Sequence, residues 1–164
     1  MEGGGTAAAL QMDRCYTAAL RILRYRFNSV AELERKLRAK GFSREEIDPA
    51  IERLRDEQWL DDARFAGAFV RTHQLKRVGP GRIRRELMAA GVADEIIDRV
   101  LAENADPEAD RARAVAAAER RLPILMRRYD EAMARNKLSA YLLKQGYDAA
   151  LVRAVVKEIQ VVHH

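Results

Sequence analysis

The side chains best placed to do chemistry in this chain are its arginines and lysines, and they are unevenly distributed. Arg71, Lys76, Arg77, Arg82, Arg84 and Arg85 crowd one stretch around Gly79-Pro80-Gly81. A guanidinium presents a planar fork of donors that matches a phosphate or a carboxylate. Proline suits the first position of a helix, where its missing N–H costs nothing. The predicted helix start adds the positive end of its dipole to those charges. The six basic groups outnumber the acids near them, which makes this middle cluster the first candidate for meeting phosphates or carboxylates. The ordinary alternative is solubility plus pairing along a helix, as between Arg82 and Glu86. Two further clusters, Arg21, Arg24 and Arg26, and Arg120, Arg121, Arg127 and Arg128, read first as solvated faces; the last group is the weaker binding candidate. No aromatic residue interleaves the middle cluster, so it offers no platform on which single-stranded bases stack. The expected contact is a weak, salt-sensitive one with a phosphate backbone.

Other chemistry finds little support. No glycine-rich phosphate loop is present, since Gly79-Pro80-Gly81 lacks the full pattern of either nucleotide motif. Three histidines and one cysteine give no metal-ligand spacing. His73 reads as a core-edge or surface residue. The Asp61-Asp62 pair lies at a helix entrance, where capping explains it better than metal binding. Cys15 beside Tyr16 reads as helix packing. No catalytic residue, metal or cofactor is assigned, and the expectation is a protein that is not an enzyme.

The elements that must carry these residues show a threefold recurrence anchored on Gly41, Gly91 and Gly146. Eight residues before each stands an aliphatic, Leu33, Ile83 or Leu138. Four before stands Leu37, Leu87 or Leu142. One after stands Phe42, Val92 or Tyr147, and six after stands Ile47, Ile97 or Val152. Repeats of this length mark stacked supersecondary units that bury a continuous core by packing on their neighbours. Nearly the whole chain reads as helix. Tyr16, Leu20, Leu23 and Phe27 fall at helical spacing, with Asp13 as a cap. Ser29 caps a second helix, and Ser43 with Glu46 forms a capping box for a third, in which Pro49 predicts a kink or a delayed start. Trp59, Leu60, Phe65 and Phe69 are expected to be structural packing, beside the Asp61-Asp62 cap. Asp106-Pro107 opens a seventh helix, packed through Ala112, Val115, Ala116 and Leu122, which Pro123 ends or bends. The predicted fold is all-α: three tandem three-helix repeats, residues 13–58, 59–104 and 105–162, in an elongated, curved array behind a flexible stretch, residues 1–12.

Composition agrees with thin helix-on-helix packing. Hydrophobic residues make up 48% of the 164 residues but aromatics only 6%. A net charge of +5 and a pI near 9.6 permit an acidic or phosphate-bearing partner without demanding one. The single cysteine excludes an intrachain disulfide and suits a reducing compartment. Neither a membrane span nor a secretory signal is recognisable. The expected location is cytoplasmic.

At the level of whole motifs, Trp59-Leu60-Asp61-Asp62-Ala63-Arg64-Phe65-Ala66, then Phe69-Val70-Arg71, then Gly79-Pro80-Gly81-Arg82-Ile83-Arg84-Arg85-Glu86-Leu87, closely resemble the core of the bacterial RecX regulatory proteins. Leu33 to Ser43 resembles that family's first repeat and Lys137 to Tyr147 its last, so the resemblance spans about residues 14 to 160. It implies tandem three-helix repeats and modulation, mostly inhibition, of the RecA recombinase in homologous recombination, DNA repair and the SOS response. The implied partner is the RecA–DNA filament; the contact expected with single- or double-stranded DNA is weak and salt-sensitive, and the expected state is a monomer. Pro49 and His73 depart from the family pattern. A stand-alone DNA-binding helical module is the rival reading, and a helical scaffold gripping a peptide is a third.

Overall fold

The computed structural model describes residues 3–160. These form nine helices and no strand: α1 (Gly3–Tyr25), α2 (Val30–Ala39), α3 (Arg44–Asp56), α4 (Asp62–Leu75), α5 (Pro80–Ala89), α6 (Asp94–Glu103), α7 (Pro107–Met126), α8 (Glu131–Lys144) and α9 (Ala149–Glu158). The fold is a helical repeat array. The recurring aliphatics are its core: Leu33, Leu37, Leu87, Ile97, Leu138 and Leu142 are completely buried, and Ile83, Ile47 and Val152 nearly so. Burial of each such side chain is worth about 1.5–3 kcal/mol. Each recurring glycine stops its helix in the left-handed region, with φ of +94°, +79° and +101° at Gly41, Gly91 and Gly146.

Helix starts follow local chemistry. Ser29 Oγ accepts the Glu32 N–H while Glu32 Oε1 accepts the Ser29 N–H, a complete capping box. Glu46 returns the same bond to the Ser43 N–H at 3.1 Å. Asp61, Asp106, Asp130 and Asp148 each accept the backbone N–H three residues on.

Several expectations are corrected. The stretch expected to be flexible is helical from Gly3 onward, so Asp13 lies inside α1 and caps nothing. The run Thr6-Ala7-Ala8-Ala9-Leu10 has the propensity to carry the helix back past it. Met1, Glu2 and His163-His164 lie outside the described residues. Among the described side chains of α1 the fully buried ones are Cys15 and Ala19; Tyr16, Leu20 and Leu23 only flank the core, and Phe27 lies beyond the helix end, 57% exposed. Small side chains let α1 approach its neighbours closely, so the larger ones sit at the margin. Pro49 lies inside α3 and does not delay it, since the helix runs from Arg44. Pro123 likewise lies within α7, which continues to Met126. On α7 the buried positions are Ala114, Ala117, Ala118, Leu122 and Leu125, whereas Ala112 is exposed and Val115 and Ala116 are half-buried. Alanines occupy so many positions of this helix that periodicity does not single out one face.

The chain divides into two compact units, one built from residues up to Gly67 with Met88–Ile97, the other from Ala68–Leu87 with the chain from Asp98 onward. In the first, α1 and α2 pack on α3 around Leu33, Leu37, Ile51 and Leu54. In the second, α7, α8 and α9 pack together around Leu138, Leu142, Val155 and the alanines of α7 and α8.

Candidate functional site

The middle basic cluster lies entirely in the second unit, on the end of α4, the turn after it and the first turns of α5. The turn is shaped by Arg77, a non-glycine residue at φ +61°. That conformation is costly for an L residue and persists where surrounding structure enforces it. Here the enforcing group is Tyr147, whose buried hydroxyl donates to the Arg77 carbonyl at 2.6 Å. Burial pushes this phenol up to about 12. Two residues on, the Gly79 N–H donates to the Gln145 carbonyl at 2.8 Å and the Gly81 N–H to the Gly146 carbonyl at 2.9 Å. The α5 start is thereby seated backbone-to-backbone on the corner after α8. No side chain fits between them: a Cβ on Gly79 would meet the Gly146 carbonyl carbon at 2.6 Å, and one on Gly81 its oxygen at 2.9 Å. Gly79-Pro80-Gly81, expected only as a turn before a helix, is therefore also a docking joint. A small residue on both sides of the N1 proline was the sequence signal for it.

The same joint recurs in the first unit. Ser29 Oγ donates to the Ala90 carbonyl at 2.6 Å, and a Cβ on Gly91 would overlap the Cβ of Ala31. Ser29 and Gly79 occupy equivalent places, four residues before Leu33 and Ile83. Asp62 adds a bond that was not anticipated, its carboxylate accepting the Val30 N–H of the α2 start at 2.9 Å.

The six basic groups of the middle cluster divide by their partners. Arg82 is held at two points, Nε to Glu86 Oε1 at 3.0 Å and Nη1 to Gln145 Oε1 at 3.1 Å. Arg84 pairs with Asp98 at 2.6 Å. Arg71 and Lys76 are exposed, and neither they nor Arg77 form an ion pair with a described residue. Arg85 is exposed and reaches only the Lys144 carbonyl, at 3.4 Å. The positive charge left for a partner therefore sits on Arg71, Lys76, Arg77 and Arg85. His73 stands at the core edge, stacked on Phe69 with ring centroids 3.7 Å apart. Its Nδ1 donates to the Phe69 carbonyl at 2.8 Å and its Nε2 lies 3.2 Å from Glu86.

A cavity of about 380 Å³ adjoins the cluster, lined by residues including Val78, Pro80, Ile83, Arg84 and Leu101. Among the later arginines, Arg120, Arg127 and Arg128 are exposed, with Arg127 at the C-cap of α7. The Arg121 guanidinium lies 4.9 Å from the Tyr141 ring centre. Of the motif residues expected to pack, Leu60 and Phe65 are buried and Phe69 is half-buried, but Trp59 is 51% exposed. Its ring follows a turn residue, Gln58, at φ +65°, which directs the chain so that Leu60 rather than Trp59 enters the core. Among the described residues no group of histidine, cysteine and carboxylate side chains is disposed to hold a metal ion. Among them, too, no helix is long and apolar enough to cross a membrane.

Comparison with known proteins places this architecture. The profile of the first three-helix domain of RecX matches residues 15–54, and that of the second three-helix domain matches residues 61–101. The regulatory protein RecX of Halorhodospira halophila is 38% identical over 159 residues, covering 94% of this chain and 91% of the relative. That of Trichlorobacter lovleyi is 34% identical over 149 residues, covering 90% and 97%. The crystal structure of RecX from Lactobacillus salivarius superposes with a TM-score of 0.77 at 26% identity, covering 92% of this chain and 97% of that one. With identity at this level along nearly the full length of both proteins, and the same helical architecture beneath it, the chain belongs to the RecX family of regulatory proteins.

Proposed function

We propose that this protein regulates the RecA recombinase by binding the RecA–DNA filament and slowing its ATP hydrolysis and strand exchange. The observation that carries the reading is a basic turn held open to solvent. Arg71, Lys76, Arg77 and Arg85 lack carboxylate partners among the described residues and surround a backbone locked by Tyr147 and Gly146. A locked backbone does not have to be ordered on binding, so the ordering cost that remains is that of the side chains. Each interaction with a phosphate or an acidic side chain is weak, but several on one chain act together once the first is made. On this reading the three helical units, residues 13–58, 59–104 and 105–162, form a binding surface and not a reaction centre. The protein acts as a monomer in the cytoplasm, without a cofactor.

The test is a titration of RecA ATPase activity on single-stranded DNA. The expected result is slowing at near-equal or lower ratios of this protein to RecA. No slowing at any ratio at moderate salt removes the reading. A stand-alone DNA-binding module is the second reading, favoured by the same unpaired arginines; it requires tight duplex binding in the absence of RecA with a steep salt dependence.

A further inference from the structure

The middle cluster has no aromatic group among its basic residues, but the first unit carries an exposed corner that combines both. Phe27 follows the end of α1 and is 57% exposed; Trp59, in the turn between α3 and α4, is 51% exposed. Arg64, in the first turn of α4, connects them. Its guanidinium lies 5.9 Å from the Phe27 ring centre, and its Nη2 donates to the carbonyl of Gln58, the residue before Trp59, at 2.7 Å.

This corner is built rather than loose. Buried Asn28, next to Phe27, donates to the Arg26 carbonyl and accepts from Lys36 Nζ. The Trp59 N–H donates to the Leu54 carbonyl at 2.8 Å, and Gln58 is held at φ +65°. Three carboxylates at the neighbouring helix starts are already engaged. Asp61 accepts the Arg64 backbone N–H, Asp62 the Val30 N–H and Glu32 the Ser29 N–H, so each is turned onto a helix start. No carboxylate pairs with the Arg64 side chain among the described residues. Arg21 and Arg24 of α1 are likewise exposed and form no ion pair with a described residue.

Exposed aromatic rings beside a guanidinium that no carboxylate pairs suit a ligand that alternates flat rings with anionic groups. Single-stranded nucleic acid is such a ligand, since its unpaired bases stack on aromatic rings and its phosphates meet the cations. A duplex keeps its bases stacked on one another and offers only phosphates. We infer that Phe27, Trp59 and Arg64 form a stacking site for single-stranded nucleic acid. The inference deepens the reading that DNA is among this protein's partners, and it places a strand-selective site on the first unit, whereas the basic turn belongs to the second.

Trp59 is the only tryptophan of the chain, so its fluorescence reports on this corner alone. Titrating the whole protein with an oligothymidylate strand at low salt is expected to quench that emission saturably, with far less quenching by a duplex of equal length. Phe27→Ala and Arg64→Ala are each expected to weaken the single-strand affinity by about tenfold. Phe27→Tyr, which keeps the ring, is expected to restore it, and Trp59→Phe is expected to keep binding in an anisotropy titration. Unchanged circular dichroism shows that the variants are folded. No quenching by the strand, equal quenching by duplex, or stronger quenching by RecA alone than by the strand overturns the site, the last by making this corner a protein-binding surface. Protein that shows no quenching yet still slows the filament ATPase loses the stacking site and keeps the proposed function; quenching without slowing does the reverse.

Discussion

Tyr147 couples packing to the basic turn through one oxygen atom. Replacing it with phenylalanine keeps the buried ring and removes the bond to the Arg77 carbonyl. The expected loss is about 1 kcal/mol in denaturant unfolding, since the carbonyl is left without this donor. Alkaline titration separates this bond from simple packing. Burial raises the Tyr147 phenol from 10.0 to about 12, so the folded state holds the proton more tightly than the unfolded one. The associated stability is fully present below pH 10 and is lost as the pH rises through about 12. Wild type minus Tyr147→Phe stability, followed against pH, is expected to decline only in that window; a flat difference contradicts it. Cys15 behaves comparably in the first unit, where burial, then the charge of Glu46, raises the thiol to about 11. Because the thiolate is the reactive form, native protein is expected to resist alkylation near neutral pH and to react on unfolding. The caps at Ser29, Ser43 and Asp106 were legible as single residues, because a cap needs only a side-chain oxygen and the next turn of its own helix. The Tyr147 bond was not, because its partner stands seventy positions away.

Helices meet at the recurring glycines, and the three are not equivalent. All three adopt positive φ, but an added Cβ on Gly41 meets nothing within 4 Å, whereas on Gly146 it meets the Gly79 carbonyl oxygen at 2.8 Å and overlaps the Arg82 backbone. Gly41→Ala is therefore expected to cost only the left-handed strain, about 1–2 kcal/mol. Gly146→Ala is expected to cost roughly 1–3 kcal/mol more, because rigid backbone has to move. Thermal melts of the two variants decide this, and equal losses would show that the joint is loose. Gly146→Ala is further expected to weaken filament inhibition by displacing the α5 start, an effect that Gly41→Ala lacks. The recurrence itself was visible in the sequence, since one aliphatic spacing repeats around each glycine. That two of these glycines are filled by the start of another helix, and one is open, depends on which helix arrives there. The same limit applies to Trp59: a large aromatic in a strong motif reads as core, yet the turn at Gln58 sends Leu60 inward in its place.

For the molecule as a whole, the number of phosphates that its cations neutralise sets how binding responds to salt. Replacing Arg71, Lys76 and Arg85 with glutamate is expected to weaken filament binding and to flatten its salt dependence. The logarithmic slope is expected to fall by roughly 0.7 for each single-strand phosphate that is no longer neutralised. Arg84→Glu, at a position already paired with Asp98, is expected to change the slope least. Filament-binding titrations across a salt series measure both. A uniform effect of all four substitutions means that net charge alone, and not the turn, drives association. Sequence alone determined the all-helical class, the repeat spacing, the core aliphatics and the family resemblance, because each rests on local periodicity and on motifs read in order. Tertiary structure decided which arginines are left without a carboxylate, which glycines are joints and which aromatics face solvent. Those outcomes depend on distances between residues far apart in the chain, and no local pattern carries such distances.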